Sequence, residues 1–193
     1  MSQNIISAPV VAELTEKNSR FIAHAFPVCD RASFLRHESE LKTRYASANH
    51  YTYAYKFVHE DQLFVKTSDD GEPSGTAGKP ILAHLEGSNL INVSVFVIRF
   101  FGGTKLGTGG LIRAYGGAAK LAIDSAEVTT FVPRTKMSLT VSYQETKQTK
   151  YWLKKLEAEI IEESFGENIV FIVSLPTAKV SEAKAKLSGL KLL

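Results

Sequence analysis

Alternating and helically spaced apolar residues divide the chain into short elements of mixed type. A polar turn at 15–19 separates two strand-like runs and predicts a hairpin. Asp30 then offers an oxygen that can cap a helix. The elements predicted up to residue 127 are strands at 8–14 and 20–28, a helix from Asp30 to about 45, strands at 49–58 and 62–67, a helix capped by Ser74 or Thr76 that ends near Gly87, a strand at 90–101 and a helix at 111–127.

Pro133 marks a boundary, and the pattern restarts beyond it. The elements predicted there are strands at 136–141, 158–163 and 168–176 and helices at 146–157 and 178–189. This β-α-β-β-α order resembles a split βαβ, ferredoxin-like unit whose last strand barely starts. The sequence therefore predicts an α+β protein with one domain at 1–131 and another at 132–193.

Two glycine-rich stretches, 68–80 and 100–115, each lead into a predicted helix. Glycine lets another molecule approach the main chain, and the free N–H groups at a helix start favour an anion. Basic side chains lie in or beside both stretches, which predicts a surface for the phosphates of nucleic acid. The predicted anion-binding residues are Lys79, Lys105, Arg113, Ser74, Gly75, Thr76, Gly102, Gly103, Gly107, Gly109, Gly110, His50 and Lys56.

Asp69, Asp70 and Glu72 form an acidic group in the first stretch. Carboxylates can bind a metal ion, but the spacing of a calcium loop is absent, and Asp70-Gly71 is typical of a turn. We therefore expect these side chains to organise the loop, with no metal or cofactor. An alternative is that an Asp holds one of the nearby cations in place.

The known nucleotide and hydrolase motifs do not fit. Lys105 precedes Gly107 and is not followed by Gly-Lys-Ser/Thr, unlike a P-loop, and Ser74 is not in a Gly-x-Ser-x-Gly elbow. Two alternatives stay open beside anion binding: glycines that serve only packing, and a small-molecule or nucleotide-binding hydrolase. The hydrolase would use Asp69, Asp70, Glu72 and His50 as an acid/base or metal centre. The sequence favours a protein without catalytic residues.

Tyr51, Tyr53 and Tyr55 alternate along a predicted strand and share one face. They either stack on bases, beside Lys56, or pack in the core. The opposite face of this strand is more polar, and we expect it to be exposed to solvent. Its residues are His50, Thr52, Ala54 and Lys56.

Charge and composition limit the function classes. The net charge is +3, and residues 131–193 carry the whole excess, with 10 Lys/Arg against 7 Asp/Glu. Nucleic-acid contact must therefore come from local patches. One cysteine, Cys29, excludes an internal disulfide and a cysteine-based zinc cluster. Neither a membrane span nor a secretion signal is visible, so we expect a cytoplasmic protein.

Four segments carry a resemblance to a known family: Lys-Asn-Ser-Arg-Phe-Ile-Ala-His at 17–24, Ala-Asn-His-Tyr-Thr-Tyr-Ala-Tyr at 48–55, and the stretches at 68–82 and 97–115. In these segments, and over about residues 5–130, the chain resembles the IMPACT/YigZ family. Residues 132–193 resemble the smaller second domain of bacterial members. Many members have paired histidines where this chain has His50-Tyr51, which speaks against a metal role for that strand.

The resemblance implies a first domain like domain IV of elongation factor G and a ribosomal-protein fold, and a second domain like domain V of that factor. Both relatives act on RNA or the ribosome. Eukaryotic members regulate translation by competing for a scaffold protein, but they carry a different extra domain. We therefore expect RNA or the ribosome as partner, a protein of the translation machinery as an alternative partner, and no membrane. A third hypothesis, beside RNA binding and a hydrolase, is a module that only binds other proteins.

Overall fold

The computed structural model describes residues 3–59, 62–187 and 189–193. Two compact units make up the chain, Met1–Phe131 and Val132–Leu193. The first unit contains β1 (Asn4–Ile6), β2 (Val10–Glu16), β3 (Ser19–Pro27), α1 (Arg31–Arg44), β4 (His50–His59), β5 (Gln62–Ser68), α2 (Gly78–Gly87), β6 (Val93–Phe100), α3 (Gly107–Asp124) and β7 (Val128–Thr130). The second contains β8 (Arg134–Val141), α4 (Thr146–Lys155), β9 (Glu159–Phe165), β10 (Ile169–Pro176), α5 (Val180–Lys186) and β11 (Leu190–Leu192).

The first unit is built on an antiparallel sheet in the order β2-β3-β6-β4-β5. β6 lies at its centre, and nearly all of its residues are buried because both faces of the sheet are covered. Val95 and Val97 pack with residues of α2 and α3 on one face. Phe96 packs with Phe34 and Leu41 of α1 on the other. The mixed α+β character predicted from the pattern is confirmed.

The expectation that the polar face of β4 is exposed to solvent was wrong. Thr52 and Ala54 are completely buried, because this face lies against the layer of α2 and α3. The Thr52 hydroxyl donates a hydrogen bond to the Val97 carbonyl (3.0 Å), which satisfies its buried polar group. On the opposite face, Tyr53 lies with its ring centroid 4.9 Å from that of Phe34 in α1. Core packing therefore accounts for this part of the tyrosine row.

The hairpin of β2 and β3 determines where the second glycine loop begins. Its two-residue turn places Lys17 (φ 45°) and Asn18 (φ 63°) in the left-handed region, as a type I′ turn requires. The Gly102 amide donates to the Ser19 hydroxyl (3.1 Å), and its Cα lies against the turn backbone. A side chain at Gly102 would begin 2.0 Å from the carbonyl carbon of Asn18, so only glycine fits there.

The second unit has a four-stranded antiparallel sheet in the order β11-β8-β10-β9. Its elements follow one another as β-α-β-β-α-β, with a short 3-10 turn at Thr177–Lys179 before α5. Alternate residues of the central strands, among them Leu139 and Phe171, pack with Leu153 of α4 in a separate core. No helix in the described part of the chain is both long and apolar enough to cross a membrane.

Candidate functional site

The two glycine-rich loops leave the first sheet from the same end. β5 and β6 both pair antiparallel with β4, so they run in the same direction. The first loop follows Ser68 at the end of β5, and the second follows Phe100 at the end of β6. One strand lies between them, and Ser68 is level with Phe96, four residues before the end of β6, so the two loops begin about 16 Å apart.

The side chain of Asp69 closes the first loop. Its Oδ1 accepts hydrogen bonds from the backbone N–H groups of Ala77 (2.9 Å) and Gly78 (2.8 Å), and its Oδ2 accepts from that of Gly75 (2.8 Å). Burial alone would raise the pKa of Asp69, but these hydrogen bonds and the charge of Lys79 hold it below its usual value. The carboxylate therefore occupies the anion position at the start of α2.

Gly75 and Thr76 consequently do not offer free amides to an outside anion, which corrects the expectation from sequence. The Gly75 amide is bound to Asp69, and Thr76 is buried. Both the amide and the hydroxyl of Thr76 donate to the Pro73 carbonyl, at 3.0 and 2.6 Å. The side chain that caps α2 is therefore that of Asp69, whereas the sequence predicted Ser74 or Thr76 as the cap. The predicted residues of this loop that stay exposed are Ser74 and Lys79.

Replacing Asp69 by alanine should lower the free energy of unfolding by about 2 kcal/mol at pH 7, because three amides lose their acceptor. A depressed native pKa stabilises the fold above the unfolded value, near pH 4, and this stabilisation is lost as the pH falls through the native pKa. Urea unfolding should therefore give a difference in the free energy of unfolding between the variant and the parent protein that shrinks below about pH 4.

Asp124→Ala is the control. It removes an exposed carboxylate paired with Lys120 and should change the free energy of unfolding by less than about 0.5 kcal/mol. A difference independent of pH would rule out a charged cap.

Asp70 and His50 fasten the first loop to the start of β4. The Asp70 carboxylate accepts from the Tyr51 amide at 2.6 Å, and its carbonyl accepts from Nδ1 of His50 at 2.8 Å. This second bond places a proton on Nδ1 and turns Nε2 of His50 toward Glu72, 3.7 Å from its Oε1. Asp70 itself has φ 44°, followed by Gly71 at φ 85°, a sharp bend that aspartate and glycine tolerate.

Glu72 is the centre of a buried polar cluster that joins the first loop to α3 and β6. Its Oε1 accepts from Nη1 of Arg99 (2.5 Å) and from the Tyr115 hydroxyl (2.6 Å). The Arg99 side chain is 6% exposed and that of Glu72 is 5% exposed, so this ion pair is shielded from water. Burial is the main cause that raises the pKa of Tyr115, and the hydrogen bond to Glu72 is the second. The Tyr115 hydroxyl therefore stays protonated and remains a hydrogen-bond donor.

Sequence reasoning missed Arg99 and Tyr115. Arg99 also lies between the rings of Phe21 and Phe101, with its guanidinium carbon 5.4 Å from each ring centroid. One signal was available: Arg99 is the only charged residue in the apolar run at 90–101, and a buried charge requires a partner.

The acid/base or metal centre considered from sequence is not assembled. The carboxylates of Asp69 and Asp70 are bound to backbone amides, and Nε2 of His50 is 3.7 Å from Oε1 of Glu72. Among the described residues, no group of three or more His, Cys, Asp or Glu side chains has an arrangement that could hold a metal ion. The arrangement is therefore suited to fixing the loop relative to α3.

The second loop differs from the first because the start of α3 is open. Gly107, Thr108 and Gly109 are exposed in its first turn, and within the described residues no side chain accepts from their amides. Lys105 and Arg113 are exposed beside this turn, and neither forms an ion pair with another described residue. Arg113 reaches back along the helix, with Nη1 3.6 Å from where a Cβ on Gly109 would lie.

The anion-binding residues predicted from the sequence therefore do not form one site. Lys56 is six residues along β4 from His50, about 20 Å toward the opposite end of the sheet. Gly102 packs on the β2–β3 turn, and Gly103 supplies a left-handed bend with φ 85°. The residues gathered at the start of α3 are Lys105, Gly107, Gly109, Gly110 and Arg113.

Comparison with known proteins places the chain in a family. Residues 17–123 match the Impact N-terminal domain, and residues 139–190 match a domain of unknown function, DUF1949. The chain is 35% identical over 188 residues to IMPACT family member YigZ of Escherichia coli, covering 95% of this chain and 91% of that protein. The chain belongs to the IMPACT family.

This IMPACT family member is also similar to a solved structure and to eukaryotic relatives. A crystal structure described as that of a hypothetical protein has a TM-score of 0.73 and 33% identity, covering 100% of this chain and 97% of that one. Human Protein IMPACT is 39% identical over 98 residues, which is 49% of this chain and 30% of the human protein. The similarity to eukaryotic IMPACT is thus confined to about half of the chain.

Proposed function

We propose that this protein binds RNA, alone or within the ribosome, through the start of α3, and that it acts in translation. The observation that carries the proposal is the contrast between the two glycine loops. The amides at the start of α2 are taken by Asp69, whereas those at the start of α3 lie exposed between Lys105 and Arg113. A phosphate group fits these donors, because backbone N–H groups and two cations all stabilise negative charge.

Exposure favours the backbone of a polymer over a small ligand. Small ligands are usually enclosed by the protein, whereas contacts to nucleic-acid phosphates are made at the surface. The second unit adds basic side chains, since α4 carries exposed Lys147, Lys154 and Lys155. Tyr151, on the same helix, is 56% exposed and can stack on a base.

The fold analogies support the same reading. The β-α-β-β-α-β order and the sheet order of the second unit correspond to a ferredoxin-like domain. By resemblance, the first unit corresponds to domain IV of elongation factor G and the second to domain V. Translation is proposed as the process because eukaryotic members of the family regulate translation.

Ribosome co-sedimentation at two salt concentrations tests this function. The protein should pellet with ribosomes near 50 mM salt and be largely released near 200 mM, roughly as expected for phosphate contacts. The double variant Lys105→Ala/Arg113→Ala should stay in the supernatant at both. Lys42→Ala/Arg44→Ala removes two exposed cations from α1, on the opposite face of the sheet, and should pellet like the parent protein. Equal pelleting of both double variants would refute the proposed site.

A further inference from the structure

A second recess lies at the other end of the first sheet, on the face that α1 covers. It has a volume of ≈ 350 Å³ and is lined by Tyr55, Phe57 and Phe64 on the side of the sheet and by Asp30 and Arg31 at the start of α1. This volume is in the range of small-ligand sites. The recess exists because α1 begins at Arg31, and the rings of Phe57 and Phe64 lie beyond this end of the helix.

The rings in the recess form a stepped stack. The centroids of Tyr55 and Phe57 are 5.1 Å apart with planes inclined by 30°, and those of Phe57 and Phe64 are 5.3 Å apart with planes inclined by 22°. Phe57 is 2% exposed, whereas Phe64 on the edge strand is 39% exposed. A planar aromatic ligand can continue this stack and cover the exposed ring.

Polar groups of both signs lie beside the rings. The Asp30 carboxylate uses Oδ1 to accept from the Ser33 amide (2.7 Å), which caps α1, and its Oδ2 accepts from the Cys29 thiol at 3.9 Å. A carboxylate oxygen has two lone pairs, so Oδ2 can accept a second hydrogen bond from a ligand donor. Arg31 is exposed at the first position of the helix and can pair with a phosphate. An aromatic ring with N–H donors and an attached phosphate is the chemistry of a nucleotide.

We propose that this recess binds the base of a nucleotide, stacked on Phe64 and hydrogen-bonded to Asp30, with its phosphate toward Arg31. The nucleotide is either free or part of a single strand. Only the single-strand source rests on the RNA function proposed above. The recess and the start of α3 lie at opposite ends and on opposite faces of the sheet, so variants affect them independently.

The test uses 2-aminopurine, whose fluorescence is quenched when it stacks on an aromatic ring. Two probes are titrated: 2-aminopurine ribonucleoside monophosphate, and a single-stranded RNA with one 2-aminopurine. The parent protein should quench at least one of them, and Phe64→Ala should bind that probe about fivefold or more weakly. Phe64→Tyr keeps a ring and should retain quenching. Leu63→Ala, a neighbour on the same edge strand that is 55% exposed and points to the other face, is the matched control.

Each outcome has a defined meaning. Quenching of the monophosphate indicates a free nucleotide, and quenching of the RNA alone indicates a base within a strand. Quenching that survives Phe64→Ala, or that Leu63→Ala removes equally, overturns the proposal. RNA that binds without quenching removes the single-strand source while leaving the α3 site intact. Quenching of the monophosphate with no ribosome binding leaves the recess standing and removes the proposed RNA function. Quenching of neither probe removes the recess proposal.

Discussion

Gly102→Ala is expected to cost more than about 4 kcal/mol of the free energy of unfolding, or to prevent folding. The new Cβ would lie 2.0 Å from the Asn18 carbonyl carbon, 2.2 Å from its oxygen and 2.4 Å from the Ser19 nitrogen. All three are backbone atoms in a hairpin that pairs with β6 through β3, so they cannot turn aside as a side chain would. Urea unfolding monitored by circular dichroism measures the loss.

Gly87→Ala is the matched control for this substitution. Gly87 ends α2, and no heavy atom lies within 4 Å of the position its Cβ would take. Its replacement should be neutral or stabilise the fold by up to about 1 kcal/mol. If Gly102→Ala and Gly87→Ala unfold at the same urea concentration, the close approach of the second loop to the β2–β3 turn is incorrect.

Glu72→Ala should destabilise the fold by about 3–5 kcal/mol, because it leaves the buried Arg99 charge without its partner. The Tyr115 hydroxyl loses its acceptor at the same time. Glu72→Gln keeps a carbonyl oxygen that can accept from both donors and should recover part of the loss. Thermal and urea unfolding of the two variants at pH 7 provide the measurement.

Glu86→Ala is the control for Glu72→Ala, since Glu86 is exposed on α2. It should change stability by less than about 0.5 kcal/mol. A loss of similar size in both variants, or Glu72→Gln as unstable as Glu72→Ala, would mean that the cluster does not hold the first loop against α3.

The sequence predicted the larger elements because their patterns are local. The run at 90–101 contains β6, and the spacing after Asp30 gave α1. The three-residue strands β1 and β7 were not predicted, since they are too short to show a period. α3 begins at Gly107, four residues before the predicted start, because its first turn is rich in glycine, which has low helix propensity.

The site was harder to predict because hydrogen-bond partners are set by the tertiary structure. The acidic group and both glycine stretches were visible in the sequence, but not that the Asp69 carboxylate reaches the amides of Gly75, Ala77 and Gly78. Both faces of β4 are covered, one by α1 and the other by α2 and α3, and the positions of these helices are not encoded in the alternation of β4. Glu72 lies 27 residues from Arg99 and 43 residues from Tyr115, so the hydrogen bonds that join them depend on how the first loop packs against β6 and α3.

The central claim is that the start of α3, with Lys105 and Arg113, binds phosphate groups of RNA. Fluorescence anisotropy with a labelled single-stranded RNA, repeated over a series of salt concentrations, tests it most directly. The slope of log Kd against log salt should be smaller in Lys105→Ala/Arg113→Ala than in the parent protein by about 1.4, since each lost contact removes about 0.7. Lys42→Ala/Arg44→Ala should leave the slope unchanged. A slope that is the same in the parent protein and in Lys105→Ala/Arg113→Ala would contradict the claim.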